Sequence, residues 1–142
     1  MNDKDFFDSN IIVYLYSEDE QDKQSVAKTL LKKTPPIIST QVLSELANVL
    51  RKKFKCEYTE ISAVIAQVVA TCQVAIITPD RIKNALTLAD KYHYSFYDSL
   101  IIAVALAENC TTLYSEDSQH GQVIESTLTI QNPFWNIKNE RA

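Results

Sequence analysis

The stretch Asp5-Phe6-Phe7-Asp8-Ser9-Asn10, running on into Ile11-Ile12-Val13-Tyr14-Leu15-Tyr16, decides the reading of the fold. An apolar pair meets side chains that favour helix caps, and an apolar run follows. That order predicts a short strand turning into a first helix over Ile11 to Tyr16. After a polar break at Asp19 to Asp22, Val26, Ala27, Leu30 and Leu31 give helical spacing across Ser25 to Lys33, which Pro35-Pro36 stops. Ile37-Ile38 predicts a brief buried strand. Ser39 or Thr40 then caps a helix whose core stripe reads Leu43, Leu46, Ala47, Leu50 and Phe54. Thr59 to Cys72 predicts a second long helix and Val74 to Ile77 a strand. Thr78-Pro79-Asp80 opens a helix with Ile82, Ala85, Leu86 and Ala89 as its apolar positions. Ser95 to Glu108 is apolar almost all round and belongs in the interior, while Thr112 to Tyr114 and Leu128 to Ile130 complete the strands. Strands alternating with helices indicate an α/β fold, a parallel sheet covered on both faces.

At 142 residues and 46% hydrophobic, the chain suits one domain with its own core, set at residues 1–135, with a polar tail at 136–142 after Pro133-Phe134-Trp135. Four prolines and one glycine, Gly121, leave no room for a flexible linker. No apolar run reaches the roughly 18 residues of a membrane span. The acidic start, Met1-Asn2-Asp3-Lys4-Asp5, is unlike a secretory signal, so a cytoplasmic location is expected. Cys56, Cys72 and Cys110 lack paired metal-site spacing and read as buried or half-buried thiols. A net charge of −4 gives no general attraction to nucleic acid, so any such binding must use a local basic patch.

Four carboxylates stand out: Asp8, Glu45, Asp98 and Asp117. Asp8 reads as the cap of the first helix, but a strand-to-helix junction at the carboxyl edge of an open sheet is also where such folds place ligands. Asp98 fits a cap in Ser95-Phe96-Tyr97-Asp98, yet it shares a helical side with Ile101, Ile102 and Ala105. An acid entering an apolar layer is costly unless paired or metal-bound. Glu45 lies across its helix from the core stripe, on a flank shared with Val42 and Val49, and a solvated glutamate is the plain alternative. Asp117, in Ser115-Glu116-Asp117-Ser118, suits an ordinary turn, and Glu116 beside it reads as solvated. Caps and turns explain these positions singly but not the set. Carboxylates gathered at one sheet end repel each other unless a hard cation neutralises them, so a metal-dependent site is indicated.

Other candidates are weaker. His93 and His120 have no acid–base partner at a recognisable spacing and suit surface or turn positions. Arg51-Lys52-Lys53 and Lys55 complement a helix end, although they are the best basic patch for a phosphate backbone. Tyr92, Tyr94, Phe96 and Tyr97 read as core and rim. The near-absence of glycine excludes a nucleotide-binding loop.

The ordered motifs Phe7-Asp8-Ser9-Asn10, Gln41-Val42-Leu43-Ser44-Glu45, Tyr97-Asp98-Ser99-Leu100-Ile101 and Leu113-Tyr114-Ser115-Glu116-Asp117 resemble the PIN-domain family, over nearly the whole chain. Within it, the run on through Ser118-Gln119-His120-Gly121 and the ending Ile130-Gln131-Asn132-Pro133-Phe134 are similar to VapC-type ribonuclease toxins. The resemblance implies a three-layer α/β/α sandwich with a central parallel sheet. It also implies a Mg²⁺- or Mn²⁺-dependent endoribonuclease acting on RNA as the toxin of a toxin–antitoxin pair. Asp8, Glu45, Asp98 and Asp117 match the family's acidic quartet, with Asp8 and Asp98 as principal metal ligands. Asn10 and Ser115 match its supporting positions. A VapB-type antitoxin lying across the active-site groove and a homodimer are the implied partners, with the flank of Glu45 contributing to that groove. Ser99 departs from a usual small apolar residue without disturbing the site.

Rival readings fit less well. A haloacid-dehalogenase-type phosphotransferase wants an Asp where Asn10 stands. A receiver domain wants adjacent acids near the first strand and a late lysine, whereas Lys138 falls in the tail. A catalytically silent PIN-fold module that binds RNA or protein is the alternative of another class, and loss of an acid from the quartet would favour it.

Overall fold

A computed structural model describes residues 3–137. Its sheet has the order β3-β2-β1-β4-β6-β5. The strands are β1 (Asp5–Phe7), β2 (Ile37–Ser39), β3 (Gln73–Ala75), β4 (Thr112–Tyr114), β5 (Val123–Ile124) and β6 (Leu128–Gln131). Between them lie α1 (Ser9–Tyr14), α2 (Gln21–Lys33), α3 (Thr40–Lys52), α4 (Tyr58–Thr71), α5 (Pro79–Tyr92) and α6 (Phe96–Ala107). All pairings are parallel except β5 with β6. The sheet grows from β1 through β2 to β3, then the chain returns to place β4 on the other side of β1. Right-handed crossovers therefore put α1 to α4 on one face and α5 and α6 on the other. The direction reverses between β1 and β4, and the crevice above such a reversal is where open α/β sheets bind ligands.

Phe6, Phe7, Ile38, Leu113 and Ile130 are buried to 3% exposure or less, so the short strands form the floor of the core. The interior helix is α6, where every residue from Ser99 to Ala105 is buried, as its all-round apolar sequence requires. Truncating Ile102 to Ala would cost roughly 2–5 kcal/mol, the usual range for an emptied core position.

Several expected details differ. The helix expected from Ser25 begins at Gln21, because the polar residues before it make an exposed first turn instead of a break. On α3 the buried stripe is Val42, Leu46 and Leu50, with Leu43, Ala47 and Phe54 half-buried around it. Glu45 therefore sits at the rim of the core face instead of opposite it, and Val42 belongs to the core instead of an open flank. On α5, Ile82 and Leu86 are 40% and 57% exposed, and Leu88 is buried beside Ala85. Strand β5 has no counterpart in the sequence reading. It is joined to β6 by Glu125-Ser126, both at positive φ (51° and 62°), with the Thr127 amide donating to the Ile124 carbonyl at 3.1 Å. This is the backbone of a primed hairpin turn without the usual Asn-Gly signal. Lys91 Nζ and the Tyr92 hydroxyl reach Glu125 at 2.6 and 2.7 Å and hold the turn from α5. Phe134 is fully buried and Ile137 packs on the core, while residues 138–142 of the expected tail, Lys138 among them, lie outside the described residues.

Candidate active site

Register builds the centre of the site. Phe7 is paired with Tyr114, so the next residues, Asp8 and Ser115, leave adjacent strands side by side at the carboxyl edge. The Ser115 hydroxyl donates to Asp8 Oδ2 at 2.8 Å, and the Ser9 amide donates to Asp8 Oδ1 at 2.7 Å. Asp8 is thus the α1 cap, and it is also an acid exposed by only 7%. Burial pushes its pKa up to about 6, against the lowering effect of its hydrogen bonds from Ser115 and Ser9, and the charges of Glu45 and Asp117 raise it further. Both cap and buried acid are therefore roles of the same side chain.

Asn10 and Ser115 tie the β4 exit loop to α1. Asn10 Nδ2 donates to Asp117 Oδ2 at 3.1 Å, and its Oδ1 accepts from the Glu116 amide at 3.3 Å. The Asp117 amide reaches Ser115 Oγ at 3.3 Å. Asp117 itself is exposed, held at the mouth of the crevice.

Glu45 and Asp98 come from α3 and α6. Both are half-buried. Gln41, one helical turn before Glu45 and only 8% exposed, links these arms. Its Nε2 donates to the Tyr97 carbonyl at 3.1 Å and to Glu45 Oε2 at 3.4 Å. Two acceptors fix which end of the amide is nitrogen. Its Oε1 is buried without a hydrogen-bond partner among the described residues, as is Ser99 Oγ. Sequence reasoning passed over Gln41; the i, i+4 spacing of Gln41 and Glu45 was the available signal. Ser95 Oγ caps α6 by accepting from the Asp98 amide at 3.2 Å, which leaves the Asp98 carboxylate out of the cap.

Glu116 corrects another expectation. Instead of lying in solvent, it is 25% exposed and accepts from Lys23 Nζ at 2.6 Å and from the Tyr14 hydroxyl at 2.7 Å. The Lys23 ammonium lies 4.9 Å from the Tyr14 ring centre and 5.6 Å from that of Phe134. Burial opposes the charge on Lys23, but the Glu116 and Tyr14 oxygens outweigh it and its pKa is raised.

The remaining candidates have structural places. Cys110 is buried, with Cys56 and Cys72 half-buried, and burial pushes Cys72 up to about 11 and Cys110 up to about 12. Cys72 and Cys110 are thus held as thiols, not nucleophilic thiolates. His93 ends α5 in a left-handed conformation, and His120 Nδ1 accepts from the Asn132 amide at 2.9 Å while stacking on Trp135. Tyr92 and Tyr94 spend their hydroxyls on Glu125 and Gln122, whereas Tyr97 is 65% exposed on the rim.

The donor set suits a hard cation. Asp8 is a buried carboxylate with neutral donors on both oxygens and two further acids acting on its charge, the situation that bound Mg²⁺ or Mn²⁺ relieves. Among the described residues, no three His, Cys, Asp or Glu side chains already converge as a finished ligand cluster.

The fold and site define an α/β protein with a buried acid, Asp8, at the carboxyl edge of a parallel sheet, at its point of reversal, where the charges of Glu45 and Asp117 reach it. The chain belongs to the PIN domain family, whose model matches residues 6–125. No curated protein matches the sequence significantly. Solved structures share the fold, and three of them illustrate the likeness. A toxin–antitoxin complex from Klebsiella pneumoniae is 20% identical with a TM-score of 0.71, covering 92% of this chain and 98% of its own. VapC20 from Mycobacterium tuberculosis, a sarcin–ricin loop cleaving toxin, is 24% identical with a TM-score of 0.66, covering 82% and 92%. VapBC2 from Rickettsia felis, bound to a DNA fragment from its promoter, is 19% identical with a TM-score of 0.66, covering 90% and 98%. Among the described residues, no helix is long and apolar enough to cross a membrane.

Proposed function

We propose that this protein is a metal-dependent endoribonuclease and the toxin of a toxin–antitoxin pair. The observation that carries the reading is Asp8, a buried acid at the sheet reversal whose pKa is raised to about 6 by burial and by neighbouring acids. Such a group, already capping α1, is further stabilised as an anion by a cation. Asp8 and Asp98 would be the principal ligands, with Glu45 and Asp117 completing the set directly or through water. When bound, Mg²⁺ or Mn²⁺ supplies charge neutralisation at the phosphodiester and a water made acidic enough to attack it. The chain's own residues do the positioning. Ser115 and the Ser9 amide orient the two oxygens of Asp8, Asn10 holds Asp117, and Gln41 ties Glu45 to the first turn of α6. No covalent protein nucleophile is required.

RNA as substrate is supported by the similar fold of a toxin that cleaves the sarcin–ricin loop, and an antitoxin partner by the toxin–antitoxin complexes of the same fold. A homodimer acting in the cytoplasm completes the proposal, and light scattering on the purified protein reads the oligomer directly. The deciding experiment is cleavage of an oligoribonucleotide with Mn²⁺, with excess EDTA, and by Asp98→Asn. Cleavage only by the wild type with metal is expected. Cutting in EDTA, together with full activity of Asp98→Asn, would sink the mechanism.

A further inference from the structure

Beside Asp117 a cleft of about 310 Å³ opens between α1 and α3, lined among others by Asn10, Val13, Ser17, Val49 and Lys53. It continues the acidic site along α3. Glu45, Val49 and Lys53 follow one another at four-residue steps, which form a continuous ridge on a helix. At 1.5 Å per residue, Lys53 stands about 12 Å beyond Glu45. The track thus begins at a carboxylate, crosses an apolar step and ends at a cation.

The nearby cations are not equivalent. Lys23 is committed to Glu116 at 2.6 Å. Arg51 donates to the Cys56 carbonyl at 3.1 Å and lies 4.5 Å from the Tyr58 ring centre. Lys53 is exposed at the end of α3, with its ammonium 5.6 Å from the ring centre of its neighbour Phe54. Among the described residues it takes part in no ion pair. The cleft is therefore lined by the acids Glu116 and Asp117, by a lysine, Lys53, outside the ion pairs of the described residues, and by Val13, Val49 and Phe54.

We propose that this cleft is the subsite for the RNA strand flanking the scissile phosphate. Resting on the nuclease reading, the proposal places a neighbouring phosphate on Lys53 and the intervening ribose and base against Val49 and Phe54. Charge selects the occupant: Lys53 attracts an anion while the carboxylates accept one only through a bound cation, so a polyanion would enter with one phosphate on Lys53 and its scissile phosphate at the cation-bearing acids. A base on an aromatic face needs no sequence match, so the subsite adds affinity more than sequence choice.

The test uses a fluorescein-labelled oligoribonucleotide of mixed sequence, with binding followed by anisotropy across a salt titration in Mn²⁺. An Asp98→Asn background prevents cutting. Lys53→Met in that background should make the slope of log affinity against log salt shallower by about 0.7, the share of one single-strand phosphate. With Asp98 restored, Lys53→Met should raise KM and leave kcat unchanged. Lys83→Met, on α5 across the sheet, is the control and should leave both readouts alone. An unchanged slope for Lys53→Met, or an equal loss in Lys83→Met, overturns the subsite. The same null RNA result with weakened binding of a cognate antitoxin would assign the cleft to that protein instead. Failure of the wild type to cut any RNA would be a separate result, against the nuclease reading itself.

Discussion

Glu116 and Asp117 are consecutive acids with opposite circumstances. Glu116 has a lysine and a tyrosine hydroxyl on its carboxylate, and that lysine lies against the Tyr14 and Phe134 rings. Asp117 is exposed, and its one side-chain partner among the described residues is the neutral amide of Asn10. A step further in, Asp8 is buried with neutral donors and like charges nearby. The molecule thus has a charge-balanced side that anchors the β4 exit loop and an unbalanced side that the loop presents. Charge left unbalanced in a fold able to balance it one residue away is what the proposed cation would neutralise.

The largest effect should come from removing the imbalance. Asp8→Asn should lower cleavage at least about 100-fold by loss of a principal ligand. It should also stabilise the metal-free protein. The folded pKa of Asp8 is about 6 against an ordinary 3.8, so the folded chain holds this proton more tightly than the unfolded chain. Its contribution is favourable below about pH 3.8 and is lost as pH rises through about 6. The penalty at neutral pH is then at most about 3 kcal/mol, which denaturant titrations of wild type and Asp8→Asn at pH 5 and pH 8 would read. Mn²⁺ should raise the Tm of the wild type and leave that of Asp8→Asn nearly unchanged.

Breaking the balanced side should do less. Lys23→Met leaves Glu116 without its cation and should cost about 1–2 kcal/mol, between exposed and buried pairs. By loosening the loop it should also weaken Mn²⁺ binding about tenfold, measured by calorimetry. Glu116→Gln in the same chain should recover part of the stability. Gln41→Leu removes an unpartnered buried carbonyl together with two hydrogen bonds, so stability should change by less than about 1 kcal/mol. Activity should fall roughly tenfold as Glu45 and the first turn of α6 lose their link. The smallest effect belongs to Lys91→Ala, which removes an exposed ion pair at the β5–β6 turn and should leave cleavage unchanged. A large loss there would show that the β5 hairpin shapes the site.

Much of the fold was legible because each strand is a brief apolar group ended by a capping residue, as at Phe6-Phe7-Asp8 and Ile37-Ile38-Ser39. The misjudged parts have local causes. Glu125-Ser126 makes a positive-φ turn from residues that do not advertise one, so Val123-Ile124 did not read as a strand. Ile82 and Leu86 are apolar yet face outward, which periodicity alone does not separate from core. In the candidate site, the junction at Asp8 could be read because cap and strand end are adjacent in sequence. The partners of Glu116 could not, since Lys23 lies 93 residues away. The pairing of Gln41 with the Tyr97 carbonyl spans 56 residues and depends on how α6 is seated.

The contact between Ser115 and Asp8 spans 107 residues. During synthesis at about 5–20 residues per second, the strand that carries Ser115 is made roughly 5–20 s after Asp8. Until β4 slots in beside β1, the first acid has no neighbour on that side and the crevice has only one wall. Non-local pairings of this kind form late in folding. Under the nuclease reading, the nascent chain is therefore harmless until β4 has been made and has docked beside β1, because the catalytic centre exists only once these two distant segments of the chain have met in space.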